Sequence, residues 1–173
     1  MSKPILILAM ALVCAVQQNS LKFTVPAGWV EEERTSSMRI AQYRLPKATG
    51  DAEDASLVLY YFGQGQGGST AANVERWIGQ IQQADGSSTK DKSKEESLEA
   101  HGLKVTTVDV SGTYVAETAP GSGTFHNKPG YRLRAAVVET PKGSYFVKLV
   151  GPEKTVTQWN ESFLSYLRSF EFR

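Results

Sequence analysis

The chain has 173 residues, 19 Lys+Arg against 18 Asp+Glu, 40% hydrophobic and 21% charged residues. That length suits one ordinary domain with a real core, and the composition excludes collagen, a coiled-coil rod and wholesale disorder. A near-neutral balance offers no footprint for nucleic acid or a polybasic membrane patch, and one cysteine excludes an internal disulfide framework.

Residues 1–20 read differently from the rest. Lys3 precedes Pro4–Val16, thirteen residues without a charge, and Gln17-Gln18-Asn19-Ser20 follow. A bilayer-spanning helix needs about twenty apolar residues, whereas this run matches the core of a secretory signal. Val13-Cys14-Ala15 supplies a peptidase site, so the expectation is a 1–15 signal peptide and a single domain over 16–173. Lipidation of Cys14 is the alternative, disfavoured by the bulky Val13 before it. The protein is then exported to the periplasm or cell envelope, with no transmembrane segment in the mature chain.

Leu21–Val25 alternates as a half-buried strand with Leu21, Phe23 and Val25 inward, and Pro26-Ala27-Gly28-Trp29 ends it. Glu31–Arg34 is a solvated turn. Met38–Leu45 alternates again and Pro46 closes it. Ala55–Phe62 is apolar on both sides, which requires cover on both sides. Adjacent Tyr60 and Tyr61 therefore point to opposite faces. Gly63-Gln64-Gly65-Gln66-Gly67-Gly68 leads to Ser69, a helix cap, and Ala71, Val74, Trp77, Ile78 and Ile81 form one helical face. Ala84–Ser97 has no apolar period and reads as a mobile charged connector.

Leu98–Val115 is rich in strand residues, with Gly112 marking a bulge. Ala116–Gly130 is a long loop. Tyr131–Thr140, Pro141-Lys142-Gly143 and Ser144–Val150 make a hairpin. The last element is one helix, with Thr155 and Gln158 as a capping box and Trp159 among its inward residues. The result is an α+β fold: an α/β/α sandwich whose central, mainly antiparallel sheet has about six strands, with helices on both faces.

Catalytic patterns are thin. The glycines before Ser69-Thr70 lack the Lys-Ser/Thr of a phosphate loop, and neither Gly67-Gly68-Ser69 nor Gly121-Ser122-Gly123 is a nucleophile elbow. His101 and His126 have no ligand-spaced companions. These patterns point to a protein that is no enzyme and carries no metal or cofactor. Long glycine-rich loops in a compact domain are where binding residues collect. Phe125, His126 and Asn127, with Gly63, Gly65 and Tyr61, are accordingly the candidate binding residues.

The whole mature chain resembles the PsbP-like family. The resemblance rests on Phe23-Thr24-Val25-Pro26-Ala27-Gly28-Trp29, the late hairpin, and a terminal helix ending Leu167-Arg168-Ser169-Phe170. Ser37–Pro46 and Asn73-Val74-Glu75-Arg76-Trp77 look like a group of uncharacterised exported bacterial proteins. The resemblance implies the α/β/α sandwich. The family includes an extrinsic subunit of photosystem II and an import factor that binds the Ran GTPase, both of which act by binding, and no functional residue carries over. The implied function is an exported, non-catalytic binding or assembly-accessory module, a monomer with a protein partner. The alternative is a carrier of a small apolar or amphipathic ligand between the sheet and a helix or loop, which would show as a closed pocket lined by Tyr60 or Tyr61.

Overall fold

The computed structural model describes residues Ser20–Arg173. The expected signal peptide, its cleavage after Ala15 and Cys14 lie outside the described residues. In chain order, β1 (Leu21–Lys22), β2 (Val30–Glu31), β3 (Arg39–Leu45) and β4 (Ala55–Tyr61) precede α1 (Thr70–Ile78). Next come β5 (Ile81–Gln82), α2 (Thr89–Lys92), β6 (Lys94–Ala100) and β7 (Leu103–Tyr114). The chain closes with β8 (Lys128–Thr140), β9 (Gly143–Pro152), α3 (Glu153–Gln158), α4 (Asn160–Arg168) and β10 (Glu171–Phe172).

The main sheet has eight strands rather than about six, in the order β2-β3-β4-β9-β8-β7, with β6 and β5 sharing the far edge of β7. Every pairing is antiparallel. β1 and β10 form a separate two-stranded pair that ties the first described residues to the last.

The extra strands come from places with no apolar period. Residues 94–97 belong to the segment expected to be a charged connector, yet together with residues 98–100 they pair with Leu103–Asp109 along their whole length. An edge strand needs apolar side chains only where it meets the core, here Leu98 and Ala100, and its charges protect the open edge. The expected inward row of Leu21, Phe23 and Val25 is cut short: β1 ends at Lys22, and Val25 is 40% exposed.

Alternation along the strands separates two cores. On one face Leu45, Leu57, Leu59, Val105, Ala136, Val147 and Leu149 pack under Phe163, Tyr166 and Leu167 of α4. On the other, Val108, Val110, Leu133, Ala135, Val137 and Phe146 pack under Val74 and Trp77 of α1. Helices therefore cover both faces, as the doubly apolar β4 and the two amphipathic segments require. The cover is uneven. α1 lies over β7 and β8, so Ser56 and Tyr60 of β4 stay half-exposed while Ala55, Leu57 and Leu59 on the opposite side are buried.

The terminal helix is broken at Trp159, which joins α3 to α4. Trp159 is half-buried, not central, and its indole Nε1 donates to the Pro46 carbonyl at 2.8 Å. The capping box is absent. Thr155 sits inside α3, where its amide and hydroxyl both donate to the Asp51 carboxylate, at 2.9 and 2.5 Å. A loop carboxylate thus satisfies an N-terminal donor that a local side chain would otherwise take. Ile81 belongs to β5, one residue pair beyond the helix face on which periodicity placed it.

Gly112 does mark a bulge in the β7–β8 pairing. A Cβ there would stand 2.6 Å from the Gln82 carbonyl oxygen, so β5 can cross at that point only over a glycine.

A polar cluster fastens the terminal helices to the sheet. Arg132 donates to both oxygens of Asp109, at 2.8 and 2.6 Å, and to the Thr157 hydroxyl at 2.9 Å. Arg134, 3% exposed, lies over the Phe163 ring, donates to Asn160 Oδ1 and holds Asp109 at 3.6 Å. Burial pushes the Arg134 guanidinium below its ordinary pKa against the opposing pull of Asp109.

Candidate functional site

The candidate residues from the sequence fall into separate places. Tyr61 lies on the α4 face, stacked on Tyr145 at 4.5 Å, with its hydroxyl donating to the Lys142 carbonyl at 2.6 Å. Gly63 abuts the turn after β8, where a Cβ on Gly143 would meet the Gly63 carbonyl at 3.2 Å. Gly65 has open space around it at φ +73°, and serves the turn. Phe125, His126 and Asn127 lie beyond the opposite end of β8. Twelve residue steps of strand separate the two groups, on the order of 40 Å at full extension.

The glycine segment is occupied with structure. Gly67 presses on the Phe146 ring, where a Cβ would come within 2.5 Å. Asn73, buried in α1, donates to the Gly67 and Ser69 carbonyls at 2.8 and 2.9 Å. Ser69 caps α1 as expected, its hydroxyl accepting from the Ala72 amide at 3.2 Å.

The loop between β7 and β8 is closely bonded rather than slack. His126 donates its amide to the Ala116 carbonyl at 2.9 Å and Thr118 to the Thr124 carbonyl at 2.8 Å. The Glu117 carboxylate accepts from the Gly121 and Gly123 amides at 2.9 and 3.2 Å. At its root His126 stacks on Tyr114 with ring centroids 5.2 Å apart, and Tyr114 stacks on Tyr131. Phe125 stands out from this braced loop, 61% exposed. His101 is elsewhere, at the β6–β7 turn, its Nδ1 3.1 Å from the Phe170 carbonyl oxygen.

The stacked rings lead to a residue that pattern reading passed over. Lys148 sits in β9, with Val58 and Ala135 as its cross-strand neighbours. Its Nζ donates to Gln80 Oε1 at 2.6 Å and to the Tyr114 hydroxyl at 2.9 Å. Burial, then Arg76 on α1, push its pKa down to about 8. Tyr114 is pushed up to about 12, chiefly by burial. Beside it, Lys128 holds the Glu53 carboxylate at 2.6 Å, and the Tyr131 hydroxyl donates to the same group. These two bonds, Lys128 first, hold Glu53 below the usual carboxylate range. The signal in the sequence was a lysine inside Tyr145-Phe146-Val147-Lys148-Leu149-Val150, a run that becomes a central strand.

Two clefts open on other parts of the surface. One, about 470 Å³, is lined by Leu98, Thr107, Leu164 and Arg168; the other, about 520 Å³, by Asp109, Ser111, Arg132 and Glu153. Neither is lined by Tyr60 or Tyr61.

Comparison with solved structures places the architecture. LpqN, involved in cell envelope biogenesis of Mycobacterium tuberculosis, matches over 89% of this chain and 83% of its own, with a TM-score of 0.53 and 11% identity. The chain shares the fold of LpqN. A cyanobacterial PsbP from Synechocystis is similar over 92% of this chain and 96% of its own, with a TM-score of 0.49 and 11% identity. PA94, a protein of unknown function from Pseudomonas aeruginosa, is similar over 92% and 88%, with a TM-score of 0.48 and 14% identity. No family model matches the chain, and no curated protein matches its sequence. Among the described residues no helix is long and apolar enough to cross a membrane.

Proposed function

We propose that the protein is an exported, non-catalytic binding module that engages a protein partner through the uncovered part of its α1 face. The observation that carries this is Phe125: a large ring 61% exposed on a loop whose backbone is hydrogen-bonded to itself and whose root stacks on Tyr114. A rigid loop displaying an aromatic side chain has little ordering entropy left to lose, which favours use as an anchor. The description of LpqN as involved in cell envelope biogenesis agrees with an envelope location, as does the signal-like sequence of residues 1–15.

A photo-crosslinking amino acid in place of Phe125, activated in intact cells, tests the reading. One discrete crosslinked species from the envelope is expected, absent when the probe replaces exposed Ser87 in the α1–α2 region. Equal, diffuse labelling from both positions would refute it.

A further inference from the structure

Three cations on the α1 face are held by neutral groups. Arg39 donates to Gln42 Oε1 at 2.6 Å, Arg76 to Asn73 Oδ1 at 2.5 Å, and Lys148 to Gln80 Oε1 at 2.6 Å. Among the described residues none of the three has a carboxylate within 4.0 Å. Nearby cations are treated differently: Arg44 is paired with Asp54 and Lys128 with Glu53, both below 3 Å. An amide oxygen orients a cation without cancelling its charge.

The three share one surface with aromatic groups. The Arg39 guanidinium lies 5.6 Å over the Tyr60 ring, and Tyr60 stacks on Phe62. Tyr60 pairs with Phe146, and Val58 with Lys148, so Tyr60 and Lys148 are diagonal neighbours on the same face. Arg76 of α1 acts electrostatically on Lys148, and Gln80, in the turn after the helix, accepts a hydrogen bond from it. The Lys148 ammonium still has an N–H to give, since it donates twice and carries three. Keeping such a charge half-buried and unneutralised costs stability, and a bound anion would recover that cost.

We propose that this face binds an acidic segment of a partner protein, with Lys148 and Arg76 taking a carboxylate and Tyr60 with Arg39 taking an apolar side chain beside it. The inference rests on the binding-module reading and supplies its chemistry. Charge complementarity selects the occupant, and the stack from Lys148 through Tyr114 to His126 makes the surface continuous with the Phe125 loop.

The test is an amide NMR titration of the full chain with three probes: a blocked Glu-Phe-Glu tripeptide, its Gln-Phe-Gln counterpart, and phenylacetate. The acidic peptide should shift amides of β4, β9 and the end of α1, and K148Q and R76Q should each weaken it by about fivefold or more, the effect of roughly 1 kcal/mol. No shifts up to about 10 mM peptide, equal binding of the neutral peptide, or unchanged affinity in both variants would overturn the proposal. Phenylacetate binding as tightly as the acidic peptide would also overturn it, in favour of a free organic acid. If Phe125 crosslinks a partner in cells and K148Q leaves that capture unchanged, the module reading stands and this inference falls.

Discussion

Tyr166→Phe should stabilise the protein. The Tyr166 side chain is fully buried in α4, and its hydroxyl has no hydrogen-bond partner. Its ring is held by Phe170 at 4.7 Å, Trp29 at 5.0 Å and Phe23 at 5.4 Å, so the phenyl group already has its contacts. Burial accordingly keeps the phenol well above its ordinary pKa. Leaving a buried hydroxyl unpaired costs about 1–3 kcal/mol. Removing one oxygen leaves a void of roughly 10–15 Å³, worth about 0.3 kcal/mol at 24 cal/mol per Å³. The net expectation is a gain of about 1–2 kcal/mol, or roughly 3–6 °C in Tm for a domain of this size. Urea unfolding followed by tryptophan fluorescence measures it, since Trp29 lies against the altered ring. A loss above about 1 kcal/mol would mean that the hydroxyl is satisfied, and the reasoning would fail.

Lys148 makes stability depend on alkaline pH. Its folded pKa of about 8 lies below the ordinary 10.5, so between these values the unfolded chain holds more protons and stability rises with pH. A rise of about 1–2 kcal/mol from pH 8 to 10 is expected, reversing above pH 10 as the raised phenols of Tyr114 and Tyr43 lose their advantage. Lys148→Met should remove the rise and be more stable at pH 7, and denaturation curves at pH 7, 8, 9 and 10 with an unchanged slope would contradict this. Asp109→Asn should cost about 3 kcal/mol, because it strips Arg132 and the 3%-exposed Arg134 of their shared carboxylate. Thermal unfolding checks it, and a shift under 1 °C would show that the cluster contributes little.

Local pattern carries far in this chain. Alternation predicts β3, an apolar run without a polar break predicts β4, the Pro141-Lys142-Gly143 turn between two strand-like runs predicts the β8–β9 hairpin, and Ser69 with Val74 and Trp77 predicts α1 and its buried face. These elements meet the core along their length, so burial imprints its period on their residues. β6, β5 and the break at Trp159 leave no such imprint. β6 forms because β7 offers an unpaired edge, and the helix breaks where Trp159 finds the Pro46 carbonyl, 113 residues earlier. The candidate site divides in the same way. Phe125 and His126 were legible as an aromatic and a polar group in a glycine-rich loop. Lys148, Arg76, Arg39 and Tyr60 come from four elements spread between residues 39 and 148; Lys148 stands out as a lysine in an apolar run, but nothing in the separate segments marks the four as a group. What the three cations share, among the described residues, is the lack of a carboxylate within 4.0 Å, a property of the space between elements. Sequence periodicity reports how a residue meets its own strand or helix; only the folded chain decides which charges come to face each other.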